Sequence, residues 1–362
     1  MPTKKAKNGD DLQTAIYNKG FSWEAAPTEL STASVEEQKA HLGLEVDRKE
    51  LQATERAIAA AEELRSFSAA SFTAPTSVDW RNNGGNFVTS VKNQGGCGAC
   101  VSFATLATIE SRFNIKCQTP GQNRDYSEAF LFYCGCGQCC GNGWNFPPAL
   151  DFCKNKGILN DTQYAYTPNN QPCPSGLPAP TLKIDSWSAI LPVADRKDAL
   201  ARRGPLVAGM AVYQDFYAYK SGVYKHVTGG FIGYHAISCI GYDDTQKCWI
   251  CKNSWGTGWG EAGFFKIAYG DCGIDSQFAM YEPNVTCPGP APNLCDQYLP
   301  VLRQVLAQAR TNPQLRLCLR YYVCGKLPRP YCTIQHITIA RSVIAILQKC
   351  PQYRAPWCAA LG

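Results

Sequence analysis

The chain has 362 residues, of which 45% are hydrophobic and 18% charged, and its formal net charge is +6. This length predicts two or three compact units, and the hydrophobic content is sufficient for a sizeable core. No apolar run reaches the roughly 18 residues that a membrane-spanning helix needs, which excludes a protein with such helices.

The 20 cysteines divide the chain into three regions. None precedes Cys97, 13 lie between Cys97 and Cys272, and seven lie between Cys287 and Cys358. We therefore expect a cysteine-free leader over residues 1–74, a central domain over 75–286 and a cysteine-rich module over 287–362. This density of cysteine predicts an oxidising compartment, although the first residues, MPTKKAKNGDDLQ, contain no apolar stretch suited to a signal peptide.

The leader contains two helix start signals. The first predicts a helix that begins at Ser34 with a capping box and ends at Gly43, and the second predicts a helix from Asp47 to Arg65. The segment that follows, SFSAASFTAPTS, is typical of a flexible connector that proteases can cut. The alternative interpretation of the leader is a solvated helical appendage.

Cys100 lies where the central domain begins its first buried helix. The residues after it, VSFATLATIESRF, are mostly apolar or small, and the glycines just before it permit a tight turn into the helix. A helix N-terminus and a nearby imidazolium both favour the thiolate and lower the pKa of a cysteine. Because the thiolate is the reactive form, Cys100 is a candidate nucleophile with a lowered pKa.

Three further polar residues supply what such a nucleophile needs. His235 alone among four histidines opens an apolar strand, AISCIGY, and can act as base toward the thiol and as acid toward the leaving amine. Asn253 follows 18 residues later, after the strand pattern CWICK, and can orient the imidazole while Trp255 shields that hydrogen bond. Gln94 can donate to a developing oxyanion. The order and spacing of these residues predict acyl transfer by a cysteine.

Four strings within about residues 75–285 resemble the papain-like cysteine peptidases, the group of papain and cathepsins B and L. TSVDWR is similar to the family's mature N-terminus, QGGCGAC to its nucleophile motif, SEAFLFYC to the segment before its glycine loop, and KNSWGTGWG to its asparagine motif. The resemblance implies an α+β, two-lobe fold with a helical lobe and a β-barrel-like lobe. It also implies Cys100 as nucleophile, His235 as acid and base, Asn253 as orienting residue and Gln94 as oxyanion donor.

The same resemblance implies that the leader is an inhibitory propeptide and that the chain is a precursor with a covered cleft. The leader matches the family's prosegments in position rather than in sequence. Our candidate for the part that crosses the cleft is the isolated aromatic pair of Phe21 and Trp23.

A substrate-binding cleft is a further implication of the resemblance. Gly143 is expected to pair through its backbone with the substrate as a short antiparallel strand, and the pocket for the second residue upstream of the cut is expected beside it. The expected members of the cleft are Gly143, Gly209, Met210, Ala236, Gln277 and Trp255. For the pocket residues the alternative is ordinary core packing. An apolar wall that ends at Gln277 predicts a preference for hydrophobic side chains.

Two disulfides of the family match this chain, Cys97 with Cys140 and Cys134 with Cys173. The competing interpretation is a zinc site on Cys134, Cys136, Cys139 and Cys140. Adjacent cysteines in a secreted type of enzyme favour bridges over a tetrahedral metal site. We therefore expect disulfides here, and neither a bound metal nor a cofactor.

Cys272 matches a family bridge cysteine whose usual partner is missing. Cys239, Cys251 and the C-terminal module supply the candidate partners. Setting Cys100 aside leaves an odd number of cysteines, so at least one more is free, metal-bound or bridged between chains.

The C-terminal module carries all of the net positive charge. It holds nine Lys and Arg residues against Asp296 alone, a balance of +8, so the first 286 residues sum to −2. Apolar residues over 299–309 fit one face of a helix, and the stretch 334–348 keeps that period only in part. We expect a small disulfide-rich helical module that binds an anionic surface, or else the leader or the catalytic domain. The alternative is a basic spacer removed during maturation, and no nucleic-acid-binding motif accompanies the charge.

The combined prediction is the zymogen of a monomeric cysteine endopeptidase, secreted or held in a lysosome- or vacuole-like compartment. It would hydrolyse peptide bonds of protein or peptide substrates through a thioester acyl-enzyme. Exopeptidase action, and acyl transfer of the amidase or transglutaminase type, are alternatives. A catalytically silent binding or storage protein is a third, supported only by Val101, which stands where the family usually has an aromatic residue.

Overall fold

The computed structural model describes residues 9–67, 74–180, 182–287, 298–325 and 330–362. The chain forms two compact units that divide after Cys287. Half of the predicted connector SFSAASFTAPTS, residues 68–73, lies outside the described residues, and so do residues 288–297, which follow Cys287.

The leader folds into short elements followed by one long helix. In chain order they are α1 (Gly9–Asn18), β1 (Glu24–Ala25), α2 (Glu29–Thr32), α3 (Val35–Ala40) and α4 (Arg48–Phe67). The Ser34 side chain accepts from the Glu37 amide and Glu37 returns the bond, so the predicted capping box forms. The helix it starts ends at Ala40 and not at Gly43, because the chain turns at His41 and becomes extended. Asp47 caps α4 by accepting from two backbone amides of its first turn.

Trp23 anchors the leader to the central domain. Its indole is fully buried and donates to the Lys225 carbonyl at 3.0 Å. The ring packs 5.1 Å from Tyr224, and β1 pairs with the short strand β5 (Tyr219–Ser221), which lies in the central domain. The expectation that Phe21 and Trp23 cross the cleft is wrong, because the Trp23 indole packs against aromatic rings of the central domain, Tyr219 and Tyr224.

One part of the central domain is helical. It contains α5 (Cys100–Lys116), α6 (Glu128–Gly135) and α7 (Phe146–Asn155). Nearly every residue of α5 is buried, as expected for a helix that is apolar or small all round. The other helices pack against it to form one hydrophobic core.

The other part of the central domain is built on a twisted sheet with its own core. The strands are β2 (Ser77–Asp79), β3 (Ser186–Ile190), β4 (Leu206–Tyr213), β6 (Val223–Tyr224), β7 (Phe231–Asp243), β8 (Cys248–Lys252), β9 (Phe264–Ala268) and β10 (Met280–Asn284), with helix α8 (Val193–Arg203) before β4. The strand order is β3-β10-β4-β7-β8-β9-β6, and β2 adds to β7. The architecture is the mixed α+β, two-core arrangement that the sequence predicted.

Disulfides secure the helical part around the start of α5. Cys97 is bonded to Cys140 and Cys134 to Cys173. Cys136 and Cys139 form a further bridge, so the zinc interpretation of this cluster is wrong because all four of its sulfurs are in disulfides. The remaining bridge of the described central domain joins Cys117 to Cys287.

Cys272 is bonded to no other cysteine. It is a buried thiol that donates to the carboxylate of Asp271 at 3.1 Å, so none of the expected partners is correct. The cysteines that are free in the described ranges are Cys100, Cys153, Cys239, Cys248, Cys251 and Cys272.

The C-terminal unit consists of helices α9 (Leu299–Thr311), α10 (Pro313–Tyr322), α11 (Ile334–Lys349) and α12 (Arg354–Leu361). The predicted apolar face of α9 is buried at Leu302 and Ala309. The buried face of α11 is instead formed by Ala340, Val343 and Leu347, which explains why the apolar period read from Ile334 was incomplete. Across the described residues, none of the helices is both long and apolar enough to cross a membrane.

Replacing Trp23 with alanine is expected to loosen the leader, because loss of a buried indole costs about 3–5 kcal/mol. In a full-length Cys100→Ser background, trypsin should cut the leader at least about tenfold faster. Tyr17→Ala, at a largely exposed aromatic residue of the same leader, is the matched control and should change little. Equal digestion rates for the Trp23 and Tyr17 variants would show that Trp23 is not an anchor.

Candidate active site

Cys100 is the first residue of α5 and is held at the junction of the two cores. Its side chain is completely buried, and the backbone N–H of Ala236 on β7 donates to its Sγ at 3.4 Å. The turn into the helix is fixed by the bridge at Cys97 and by the Gly98 amide, which donates to the Cys140 carbonyl at 2.8 Å. The sulfur therefore lies against the backbone of the residue that follows His235.

His235 and Asn253 meet through the pairing of β7 with β8. His235 Nε2 lies 2.8 Å from Asn253 Oδ1, which fixes the ring orientation and leaves Nδ1 as the nitrogen available for chemistry. Nδ1 is buried and has no hydrogen-bond partner among the described residues. The Trp255 ring lies 4.9 Å from the imidazole and shields the pair, as expected. His235 occupies the middle of β7, so the expectation that it opens a strand is wrong, because the strand extends back to Phe231.

Gln94 is tied to both sides of the site. Its Oε1 accepts from Ser254 Oγ at 2.6 Å, and its Nε2 donates to the Cys97 carbonyl at 2.9 Å. An amide nitrogen carries two hydrogens, so a second N–H of Gln94 remains available. Cys100 and the three polar residues predicted with it thus lie on adjoining elements of the structure.

The leader crosses this site between His41 and Glu45. Trp255 Nε1 donates to the His41 carbonyl at 3.1 Å, and the Leu44 amide donates to the Tyr234 carbonyl at 3.3 Å. Gly43 lies so close to Gly98 that a Cβ on Gly43 would stand 2.1 Å from the Gly98 carbonyl oxygen. The leader backbone therefore passes directly over the turn that carries Cys100.

Trp144 pairs with the leader, and Gly143 does not. The Trp144 amide donates to the Gly43 carbonyl at 2.9 Å, and the Glu45 amide donates to the Trp144 carbonyl at 2.8 Å. The Gly143 amide is used within its own loop, on the Cys139 carbonyl. The lack of a side chain at Gly143 makes room for Gly43, and the expected pairing of Gly143 with a substrate stays a prediction.

Leu44 fills an apolar pocket beside the site. A Cβ on Gly209 would stand 2.7 Å from Leu44 Cδ2 and 2.9 Å from the Phe278 ring, so the absence of a side chain at Gly209 creates the space. Ala236 belongs to the same apolar cluster as Leu44, and Gln277 lines the same depression.

Met210 lies on the other face of β4, since successive residues of a strand point to opposite sides. It belongs to the core of the sheet and pairs across from His235, so its expected place in the pocket is wrong. Phe278 was missed by sequence reasoning, although it directly follows the predicted pocket residue Gln277 in an apolar run.

Burial alters the pKa values of both Cys100 and His235. Desolvation raises the pKa of the Cys100 thiol to about 12, although the backbone amides of Ala236, Val101 and Cys100 favour the thiolate. Desolvation lowers the pKa of His235 to about 4, against the opposing effect of its hydrogen bond to Asn253. The predicted low thiol pKa is therefore wrong for this covered form, because burial outweighs the helix terminus.

A buried ionic network that the sequence did not reveal lies behind Asn253. Lys252 is enclosed and donates to Thr89 Oγ1 at 3.0 Å, and Thr89 donates in turn to Glu110 Oε2 at 2.5 Å. Lys92 binds Glu128 at 2.9 Å beside them. Burial lowers the pKa of Lys252 to about 8. No cluster of three His, Cys, Asp or Glu side chains in the described ranges could hold a metal ion.

The family model for papain family cysteine protease matches residues 74–281, more than half of the chain. Zingipain-2 from Zingiber officinale is 35% identical over 221 residues, which cover 57% of this chain and 96% of that protein. Ananain from Ananas comosus is 34% identical over 210 residues, which cover 55% of this chain but only 59% of ananain.

Solved structures are similar beyond the central domain. The digestive procathepsin L2 proteinase from Tenebrio molitor larval midgut has a TM-score of 0.61 and 26% identity, covering 76% of this chain and 88% of that one. The matched share of this chain exceeds residues 74–281, so the likeness extends beyond the region that the family model matches.

We expect Cys100 in the covered form to resist alkylation. With a pKa of about 12, the thiolate fraction at pH 8 is on the order of one in ten thousand, whereas a thiol with the ordinary value of about 8.5 is tens of percent ionised. Cutting the leader from the chain should therefore raise the iodoacetamide rate at Cys100 at least about 100-fold, read by mass spectrometry of its peptide. An unchanged rate after leader removal would contradict the burial argument.

Replacing Gly43 with alanine should lift the leader without touching the catalytic groups, since the added Cβ would meet backbone atoms of Gly98. Cys100 of the intact precursor should then be alkylated at least about tenfold faster at pH 8. Ala59→Val, which adds volume at an exposed position of α4, is the matched control and should leave the rate unchanged. If the Gly43 variant stays as resistant as the control, the close approach does not close the site.

Proposed function

Since the chain belongs to the papain family of cysteine proteases, we propose that it is the zymogen of an endopeptidase that uses Cys100, His235 and Asn253. One arrangement supports the proposal most directly. The buried Cys100 thiol accepts from the backbone N–H of Ala236, and Nε2 of the preceding residue, His235, lies 2.8 Å from Asn253 Oδ1. Histidine fixed in this way presents its other nitrogen to a nucleophile, which is the arrangement that acyl transfer by cysteine requires.

The first half of the reaction forms a thioester. Cys100 Sγ attacks the carbonyl carbon of the scissile amide while His235 Nδ1 takes the thiol proton. The charge that develops on the carbonyl oxygen is stabilised by the Cys100 backbone N–H and the second Nε2 hydrogen of Gln94. When the C–N bond breaks, His235 gives the proton to the leaving amine.

The second half regenerates the enzyme. His235 removes a proton from water as the oxygen attacks the thioester carbonyl, the C–S bond breaks and the proton returns to Cys100. Asn253 keeps the ring in place throughout, and Trp255 excludes competing water from that hydrogen bond.

The leader inhibits because its backbone lies in the cleft in the direction opposite to that expected for a substrate. It forms a parallel bridge between Leu44 and Trp144, whereas a substrate is expected to pair antiparallel there. The leader carbonyls are consequently not presented to Cys100 as a scissile bond would be. Inhibition by an intramolecular segment also agrees with the proform that this fold matches.

The pocket occupied by Leu44 selects the substrate. Leu44 contacts the apolar surface formed at Gly209 and Phe278, so a substrate should place an aliphatic or aromatic side chain there. Gln277 at the rim tolerates a polar group. We place the enzyme in an oxidising compartment, secreted or lysosome- or vacuole-like, because disulfides such as Cys97–Cys140 must persist, and we expect it to act as a monomer.

Acidification should favour opening of the zymogen through His235. Covering the site lowers the His235 pKa from its usual 6.5 to about 4, so the open form binds a proton more readily than the closed form. The closed form is therefore favoured above about pH 6.5 and loses stability relative to the open form as the pH falls toward 4.

Cys100→Ala is expected to abolish turnover of a peptide amide after leader removal, with a loss of at least about a thousandfold. Cys153→Ala, at another buried free cysteine, is the matched control and should keep most of the activity if it folds. A fluorogenic peptide with leucine as the second residue upstream of the cut gives the readout. Undiminished turnover by the Cys100 variant would refute the proposed nucleophile.

A further inference from the structure

The C-terminal module lacks any acidic side chain after Asp296. Residues 297–362 contain no Asp or Glu and nine basic residues. Those that the structure describes are Arg303, Arg310, Arg316, Arg320, Arg341, Lys349 and Arg354, and all but Arg320 are exposed. A unit whose charged side chains are almost all basic attracts a polyanionic partner and repels a basic one.

The described part of this module is folded by apolar packing and disulfides. Leu315, Leu319, Val343 and Trp357 belong to one buried cluster, and Trp357 Nε1 donates to the Leu302 carbonyl at 3.2 Å. Bridges join Cys318 to Cys332 and Cys324 to Cys358. The apolar cluster and the bridges therefore form the core, while Arg316 and Arg354 also donate to the Leu361 and Val323 carbonyls.

An apolar tip stands out from this basic surface. Tyr331 is 83% exposed and Ile334 is 84% exposed, the highest values among the large apolar side chains that the structure describes. Leu317 on α10 is 39% exposed. Exposing three such side chains to water is unfavourable, and a folded module that does so offers them to a partner.

The tip is held rigidly. The Tyr331 carbonyl accepts from Gln314 Nε2, and the Cys318–Cys332 bridge fixes the next residue to α10. Gln314, Leu317 and Cys318 share one face of that helix, which places Leu317 beside the tip. Ile334 begins α11, whose first turn is capped by Thr333. Little conformational entropy is lost when side chains held in this way bind.

We propose that the C-terminal module docks the protein on an anionic lipid surface, with Leu317, Tyr331 and Ile334 entering the interface. The aliphatic side chains take the outer acyl region and the tyrosine takes the headgroup level, while the arginines meet the anionic headgroups. Apolar insertion and positive charge are the two signals that stable attachment to a bilayer surface needs.

A soluble polyanion accounts for the charge but leaves the tip unexplained. An acidic polysaccharide binds through charge alone and gives Tyr331 and Ile334 nothing apolar to enter. A second copy of the chain would cover the apolar tip, but the two modules are both basic and would repel each other. The lipid surface is the partner that suits both features.

The test uses the full chain with Cys100→Ser, which keeps the module attached. We expect it to sediment with vesicles of phosphatidylcholine and phosphatidylserine at about 0.1 M salt and not with phosphatidylcholine alone. Ile334→Asp should weaken this binding at least about tenfold. Val301→Asp is the matched control, since Val301 is exposed on α9 and the substitution changes the net charge equally. It should weaken binding far less.

Three outcomes would overturn the proposal. Equal losses for the Ile334 and Val301 variants would show that charge alone acts. Binding to heparin with no binding to the vesicles would assign the surface to polysaccharide. Concentration-dependent dimerisation that Ile334→Asp abolishes would assign the tip to a second copy. The melting temperatures of both variants should be unchanged, so that a loss of vesicle binding does not come from unfolding of the module.

Discussion

The closed state depends on three glycines whose backbones touch. A Cβ on Gly43 would stand 2.1 Å from the Gly98 oxygen, one on Gly143 would stand 2.2 Å from the Gly43 oxygen, and one on Gly98 would meet the Cys140 carbonyl at 2.9 Å. Real side chains do not fit at such distances, so only glycine allows the leader, the nucleophile turn and the cleft edge to meet. The disulfide between Cys97 and Cys140 fixes two of these three segments to each other.

Chemistry and inhibition are coupled through that contact. Water is excluded where the leader crosses, so the thiol of Cys100 and the imidazole of His235 both favour their neutral forms. The leader therefore occupies the cleft, and the burial of Cys100 and His235 favours their uncharged forms. Its anchor at Trp23 contacts Tyr224 and Lys225 rather than the turn that carries Cys100.

The sequence predicted a candidate catalytic cluster because chemistry fixes the residue types and the chain fixes their order. The structure brings Cys100, His235 and Asn253 together, their catalytic roles stay a prediction, and the α+β fold is confirmed. The path of the leader was not predictable from Trp23, since an aromatic side chain indicates burial but not the surface that buries it. Met210 was misplaced because the face of a strand depends on its register, and a shift of one residue reverses it. The pairing role of Trp144 is a backbone property that no side-chain pattern reveals.

Hydrogen exchange at the Trp144 amide tests the closed state most directly. In the full-length Cys100→Ser chain this amide donates to the Gly43 carbonyl, so it should be strongly protected. Cutting the chain at the connector and removing the leader should make it exchange at least about 100-fold faster, while amides inside α5 stay protected. Equal exchange of the Trp144 amide with and without the leader would contradict the account, because it would mean that the leader backbone does not lie across the cleft.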